Sequence, residues 1–214
     1  VPRDGARNTR KGNTENATRI SNRKGESRMI SAQEKIFKDS YSEIMDRYQK
    51  VKDDTSPDNE GYCIGELLEG GLQDYQMYAD WCRELTIYLV VDIGCCYGHQ
   101  CSIFEKYGIN YIGVETCNFN FFHQEKHTYI NHKYPVNFKG MPTNSAAISH
   151  LCVGWLITDD KDIKQIAKDF PIFIGQINKK TLPTFEKYFT VRRCIKEDID
   201  AHVVLKSKIY KVHA

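Results

Sequence analysis

Between Ser31 and Lys52, apolar residues recur at three- and four-residue steps (Ile36, Phe37, Tyr41, Ile44, Met45, Tyr48, Val51) among Lys, Asp and Glu, which predicts an amphipathic helix over residues 31–53. Ser31 and Glu34 have the S-x-x-E form of a capping box, each satisfying an otherwise orphan N–H at the helix start. Residues 53–61 read as a loop, and a second helix is predicted from about Ile64 to Arg83. The period then changes. Leu85 to Ile93 (LTIYLVVDI) is a nearly continuous apolar run ending at Asp92 and a glycine cluster, the pattern of a strand buried on both faces of a parallel sheet.

Downstream the predicted elements alternate. Helices are expected over His99–Tyr107, Phe119–His132, Asp159–Asp169 and Leu182–Phe189; strands over Tyr111–Val114, Val136–Lys139, Ala146–Val153 and Ile172–Ile177. Val191–Ile195 and His202–Tyr210 flank a polar turn and read as an antiparallel hairpin. The alternation implies an α/β fold, a mostly parallel twisted sheet with helices on both faces, with ligand expected at the C-terminal strand ends. One domain over residues 55–214 follows the helix of residues 31–53 and an arm of residues 1–30.

Charge changes the picture only at that arm. Residues 1–30 hold eight Lys or Arg and a net charge of +5 within a chain of 214 residues whose total is +2, so the rest is net negative. With Val1, Ile20, Met29 and Ile30 as its only sizeable apolar groups, the arm buries too little surface to offset ordering entropy, and is expected to meet nucleic acid or an acidic partner or to remain a solvated tail. No apolar run approaches the ~18 residues that span a bilayer, and none resembles a signal peptide. The eight cysteines form no C-x-x-C pair, so they read as reduced thiols of a cytoplasmic protein.

The chemistry concentrates in Asp92-Ile93-Gly94-Cys95-Cys96-Tyr97-Gly98, where a strand turns into a helix. A glycine turn there lets a ligand approach the backbone, and unpaired helix N–H groups favour an anion. Glu115, 23 residues after Asp92, ends the next strand, where a carboxylate can accept both hydroxyls of a ribose. A dinucleotide site would need G-x-G-x-x-G, but Cys96 and His99 stand at the second and third glycines. Zinc is disfavoured because the adjacent Cys95 and Cys96 cannot readily both face one tetrahedral ion; with His99 and Cys101 they read as packing groups.

LVVDIGCCYGHQCSIFEKYGINYIGVE resembles the first two motifs of class I S-adenosylmethionine-dependent methyltransferases, and the likeness extends over about residues 85–210. It implies a Rossmann-like methyltransferase fold with a C-terminal antiparallel hairpin and S-adenosylmethionine as cofactor. Cys96 replaces the middle glycine of the motif. By this resemblance Gly94, Cys96 and Gly98 surround the methionyl part, Asp92 lies near its amino group, and Glu115 holds the ribose. Thr116 and Cys117 lie beside the adenine, as does the Gly140-Met141-Pro142 turn. His150, at the end of the fourth strand, is the candidate general base, since imidazole titrates near neutral pH.

The acceptor is open among a small molecule, RNA and protein. Neither an Asp/Asn-Pro-Pro-Tyr/Phe segment nor a Pro-Cys pair follows the fourth strand, which counts against the known base-methylating patterns. Trp155 reads as core, and Tyr129, His123, His127 and His132 as the solvated face of a helix. The alternative is a methyltransferase-fold module without catalysis, a structural or nucleic-acid-associated part of a larger assembly. It is favoured by Cys96 and by the missing acidic residue near Met141.

Overall fold

The computed structural model describes residues 71–116, 123–138 and 140–212. The arm of residues 1–30, the helix expected over residues 31–53 and the first residues of the predicted domain lie outside them.

Residues Leu72, Tyr75, Tyr78, Ala79 and Cys82 fall on one face at helical spacing and form the buried side of α1 (Leu72–Glu84). The chain then turns through Leu85 and Thr86, the latter at φ +58°, so β1 (Leu89–Ile93) is shorter than the apolar run that announces it. There follow α2 (Cys101–Lys106), β2 (Asn110–Glu115), β3 (Thr128–Asn131), β4 (Ser145–His150), α3 (Asp160–Asp169), β5 (Ile172–Asn178), α4 (Leu182–Tyr188), β6 (Phe189–Lys196) and β7 (Asp200–Ser207).

The strands form one seven-stranded sheet in the order β3-β2-β1-β4-β5-β7-β6. The pairs β3–β2, β2–β1, β1–β4 and β4–β5 are parallel; β7 runs antiparallel between β5 and β6. Because side chains alternate along a strand, each central strand feeds two cores. Val90, Ile148, Ile174 and Val204 pack with Tyr75 and Tyr78 of α1 and Phe104 of α2. Val91, Ile93, Ala147, Phe173 and Val203 pack with Ile163 and Ile166 of α3 and Phe185 of α4. Burying each of these isoleucines contributes roughly 1.5–3 kcal/mol. Strand order reverses between β1 and β4, which opens a crevice at their carboxyl ends.

Two expectations fail between β2 and β4. The stretch expected as a helix over 119–132 holds β3 at Thr128–Asn131, after a turn at residues 123–126, while residues 117–122 lie outside the described residues. Tyr129 and Ile130 are strand-forming types, but Ile130 lies three residues after His127 and Tyr129 three before His132, a spacing that imitates a helix. Residues 136–138, expected as a strand, join no ladder; Val136 and Phe138 pack onto the second core from irregular chain, Phe138 with its ring 5.4 Å from that of Phe170. The strand expected to reach Val153 stops at His150, because Leu151 at φ +55° breaks the pleat.

Candidate functional site at the carboxyl edge of the sheet

After β1 the backbone enters the left-handed region three times, at Gly94 (φ +80°), Cys96 (φ +53°) and Gly98 (φ +76°). Cys96 thus keeps the backbone form of the glycine it replaces, at a cost of about 1–2 kcal/mol for an L residue. The turn is tied to the neighbouring strand: Gly94 N–H and Cys95 N–H both donate to Val114 O, at 2.8 and 3.2 Å. The two glycines also admit close neighbours. A Cβ at Gly94 would lie 2.4 Å from Cys152 Cβ, and one at Gly98 would lie 2.5 Å from the Tyr129 ring.

Glu115 closes the turn from the end of β2. Its Oε2 accepts Cys96 N–H at 3.0 Å, and its Oε1 accepts Thr116 N–H at 2.7 Å and the Thr116 hydroxyl at 3.0 Å. The register pairs Glu115 with Asn131, and Glu115 O accepts His132 N–H at 2.9 Å, so Asn131 and His132 stand beside it. Gly94, Cys96, Gly98, Glu115 and Thr116 therefore share one edge.

Asp92 lies below that edge, fully buried. Its carboxylate accepts hydrogen bonds from Tyr111 Oη at 2.6 Å, Tyr75 Oη at 3.3 Å and Gln100 Nε2, whose amide also reaches Cys95 O at 3.0 Å. Burial pushes its pKa up from 3.8 to about 6, against the lowering pull of those donors. Asp92 anchors the underside of the turn through Gln100.

Met141 is not brought to this edge. It precedes Ser145, the first residue of β4, and Asn144 O accepts the N–H of Tyr88, the residue before β1, at 3.0 Å. Both strands start there, so Met141 stands at the amino edge of the sheet, opposite Glu115. Its carbonyl accepts a hydrogen bond from Tyr210 and its side chain packs on the second core. The displaced third strand accounts for the difference, since the sequence reading placed the end of that strand just before Gly140.

His150 does end β4 at the carboxyl edge. Its Nδ1 lies 3.6 Å from Asp74 Oδ2 of α1, its ring centroid 5.6 Å from that of Tyr75, and only 9% of its side chain is exposed. Burial, aided by His202, lowers its pKa from 6.5 to about 4, so the ring is neutral near pH 7.

No protein-family model and no curated protein matches the chain. Solved structures do. The N-methyltransferase NodS from Bradyrhizobium japonicum, in complex with S-adenosyl-L-homocysteine, is 7% identical over 75% of this chain and 98% of its own, with a TM-score of 0.54. Magnesium protoporphyrin IX methyltransferase from Synechocystis PCC 6803, with bound SAM, is 13% identical over 76% of this chain and 91% of its own, with a TM-score of 0.53. The chain has the class I methyltransferase fold.

Within this methyltransferase fold, several residues at the carboxyl edge escape the sequence reading. Tyr129 covers Gly98 from β3 instead of facing solvent on a helix, and His123 is buried, with Nε2 3.4 Å from Ser102 Oγ. Cys152 rests on Gly94. Asp74, Gln176 and His202 gather around His150 from α1, β5 and β7; only the β-sheet register brings them together, and no local pattern announces it. Among the described residues no group of three or more His, Cys, Asp or Glu is arranged to hold a metal ion, and no helix is long and apolar enough to cross a membrane.

Proposed function

We propose that the chain is an S-adenosylmethionine-dependent methyltransferase whose acceptor is a small molecule, RNA or protein. The observation that carries this reading is the meeting of the Gly94–Gly98 turn and the Glu115 carboxylate at the carboxyl edge of the sheet, beside its switch point, joined by the hydrogen bond from Cys96 N–H at 3.0 Å. The residues fit the cofactor. Two of the three left-handed positions are glycines, which lets a neighbour approach the backbone of the turn closely, and a carboxylate oxygen can accept more than one hydrogen bond, so Glu115 can take ribose hydroxyls while it holds the Cys96 and Thr116 N–H groups. The SAM and S-adenosyl-L-homocysteine held by the two structural neighbours support the same choice.

When bound, the cofactor supplies an electrophilic sulfonium methyl group. The chain's own residues orient and shield. Gly94, Cys96 and Gly98 hold the methionyl part, with Asp92 bracing them from beneath through Gln100. Glu115 takes the ribose and Thr116 the adenine side, where Asn131 and His132 replace Met141 as neighbours. His150, neutral at the end of β4, takes the acceptor's proton, although burial, by lowering its pKa to about 4, makes it a weaker base than a free imidazole. Alignment of the nucleophile and exclusion of water supply most of the rate gain in such a site. Calorimetric titration of SAM into wild type and Glu115→Ala tests the assignment.

A second reading, a module without catalysis, draws on Cys152, which occupies the space against Gly94, and on the use of both Glu115 oxygens by the chain's own N–H groups. Residues 1–30, with eight bases, would in either case give the chain a salt-sensitive contact to nucleic acid or an acidic partner, in a cytoplasmic setting that suits reduced thiols.

A further inference from the structure

The register of the sheet lines up His150, Gln176 and His202 side by side on β4, β5 and β7, beneath the first half of α1. Asp200 pairs with Asn178 one step nearer the carboxyl edge and projects from the same face as His202. In this row three buried polar atoms have no hydrogen-bond partner among the described residues: His150 Nδ1, Gln176 Oε1 and Asp200 Oδ1. Gln176 Nε2 donates to Asp200 Oδ2 at 2.8 Å, which fixes the amide so that its orphan atom is the acceptor. A buried acceptor without a donor costs roughly 1–3 kcal/mol, so Gln176 Oε1 and Asp200 Oδ1 together mark a site completed by a ligand that donates, with His150 Nδ1 accepting or donating beside them according to its tautomer.

The surrounding charges agree on the sign of that ligand. Asp74 Oδ2 stands 3.6 Å from His150 Nδ1, and its Oδ1 stands 3.8 Å from His202 Nε2, which also faces Glu197 Oε1 at 3.3 Å. His202 Nδ1 is held by Tyr78 Oη at 3.0 Å. Asp74, Glu197 and Asp200 thus surround the row, while the nearby base, Lys179, is tied to Asp198 O at 2.8 Å. Glu197 and Asp74, with side chains 53% and 25% exposed, form the solvent-facing rim of the buried row.

We propose that this row binds a cation rich in N–H donors, a primary ammonium or guanidinium group, and, resting on the methyltransferase reading above, that this group belongs to the methyl acceptor. The two fixed acceptors, Gln176 Oε1 and Asp200 Oδ1, suit N–H donors, and the carboxylates of Asp74, Glu197 and Asp200 repel any anion. A quaternary ammonium brings the charge but no donor, so it separates the two contributions. Burial already raises the pKa of Asp74 to about 6, against the opposing pull of His202, and an arriving cation would favour its ionised form.

The test titrates ethylammonium, guanidinium and tetramethylammonium chloride into the full chain at constant ionic strength, following the imidazole resonances of His150 and His202. Ethylammonium or guanidinium should shift both resonances saturably and tetramethylammonium should not. Asp74→Asn and Asp200→Asn should each raise the half-saturating concentration about tenfold or more, as expected for a lost charged hydrogen bond. Glu197→Gln, at the exposed rim, should raise it about twofold and keeps the test open if the buried variants fail to fold. No saturable shift, equal response to tetramethylammonium, or unchanged half-saturation in the variants that fold overturns the proposal. SAM calorimetry on the same sample separates the two readings: SAM binding without cation binding sinks only this site, and cation binding without SAM binding sinks the methyltransferase assignment while the site stands.

Discussion

Cys152, two residues beyond the end of β4, rests on Gly94 in the turn after β1, so close that a Cβ on Gly94 would come within 2.4 Å of Cys152 Cβ and 2.5 Å of its Sγ. The contact joins the loop beside the candidate base to the loop that would hold the cofactor.

Gly94→Ala should therefore destabilise the fold by about 2 kcal/mol or more, from the φ of +80° and the collision together. Cys152→Ala should not restore it, because the nearest clash is with Cys152 Cβ. Urea midpoints of the single and double variants check this; full recovery in the double variant would show that the sulfur alone sets the constraint.

Two buried groups predict opposite pH dependences. The pKa of His150 is lowered by burial from 6.5 to about 4, so its contribution is present above about pH 6.5 and is lost as pH falls through 4, amounting to about 3 kcal/mol. That of Asp92 is raised from 3.8 to about 6, so its contribution is present below pH 3.8 and is lost as pH rises through 6, also by about 3 kcal/mol. Denaturation from pH 4 to 7 should show wild type weakening relative to His150→Gln as pH falls, and weakening relative to Asp92→Asn as pH rises. A difference constant with pH in either pair would place that group in solvent.

The elements legible in the sequence are those whose own residues decide them. β1 and β5 are mostly apolar runs buried on both faces, and α3 shows Ile163 and Ile166 on one side with Asp and Lys elsewhere. β3 was illegible because only Tyr129 and Ile130 announce it among polar and histidine residues, and it lies at the sheet edge where burial is partial. That one displacement carried Met141 from the carboxyl edge to the amino edge. The Gly94 turn and Glu115 were readable because the chemistry lies in two local motifs. The neighbours of His150 were not, because Asp74 and His202 are 128 residues apart and meet only through the register of β4, β5 and β7.

The basic arm makes a separate prediction. If residues 1–30 contact phosphates, oligonucleotide affinity should be insensitive to sequence and fall by roughly a thousandfold between about 50 and 200 mM salt when most of the eight bases engage. A truncation beginning at Ser31 should lose that affinity and keep cofactor binding, whose motifs begin at Asp92. Fluorescence anisotropy of a labelled oligonucleotide against both chains measures this. Equal affinity of the two chains would assign the contact to the body.

Glu115 ties the Cys96 turn to the end of β2 and is the proposed acceptor of the ribose hydroxyls. Isothermal titration of S-adenosylmethionine should show saturable one-to-one binding to wild type and affinity weaker by about tenfold or more for Glu115→Ala, the effect of removing a charged acceptor of ribose hydroxyls. Equal affinity for the two proteins, or no binding to wild type, would contradict it.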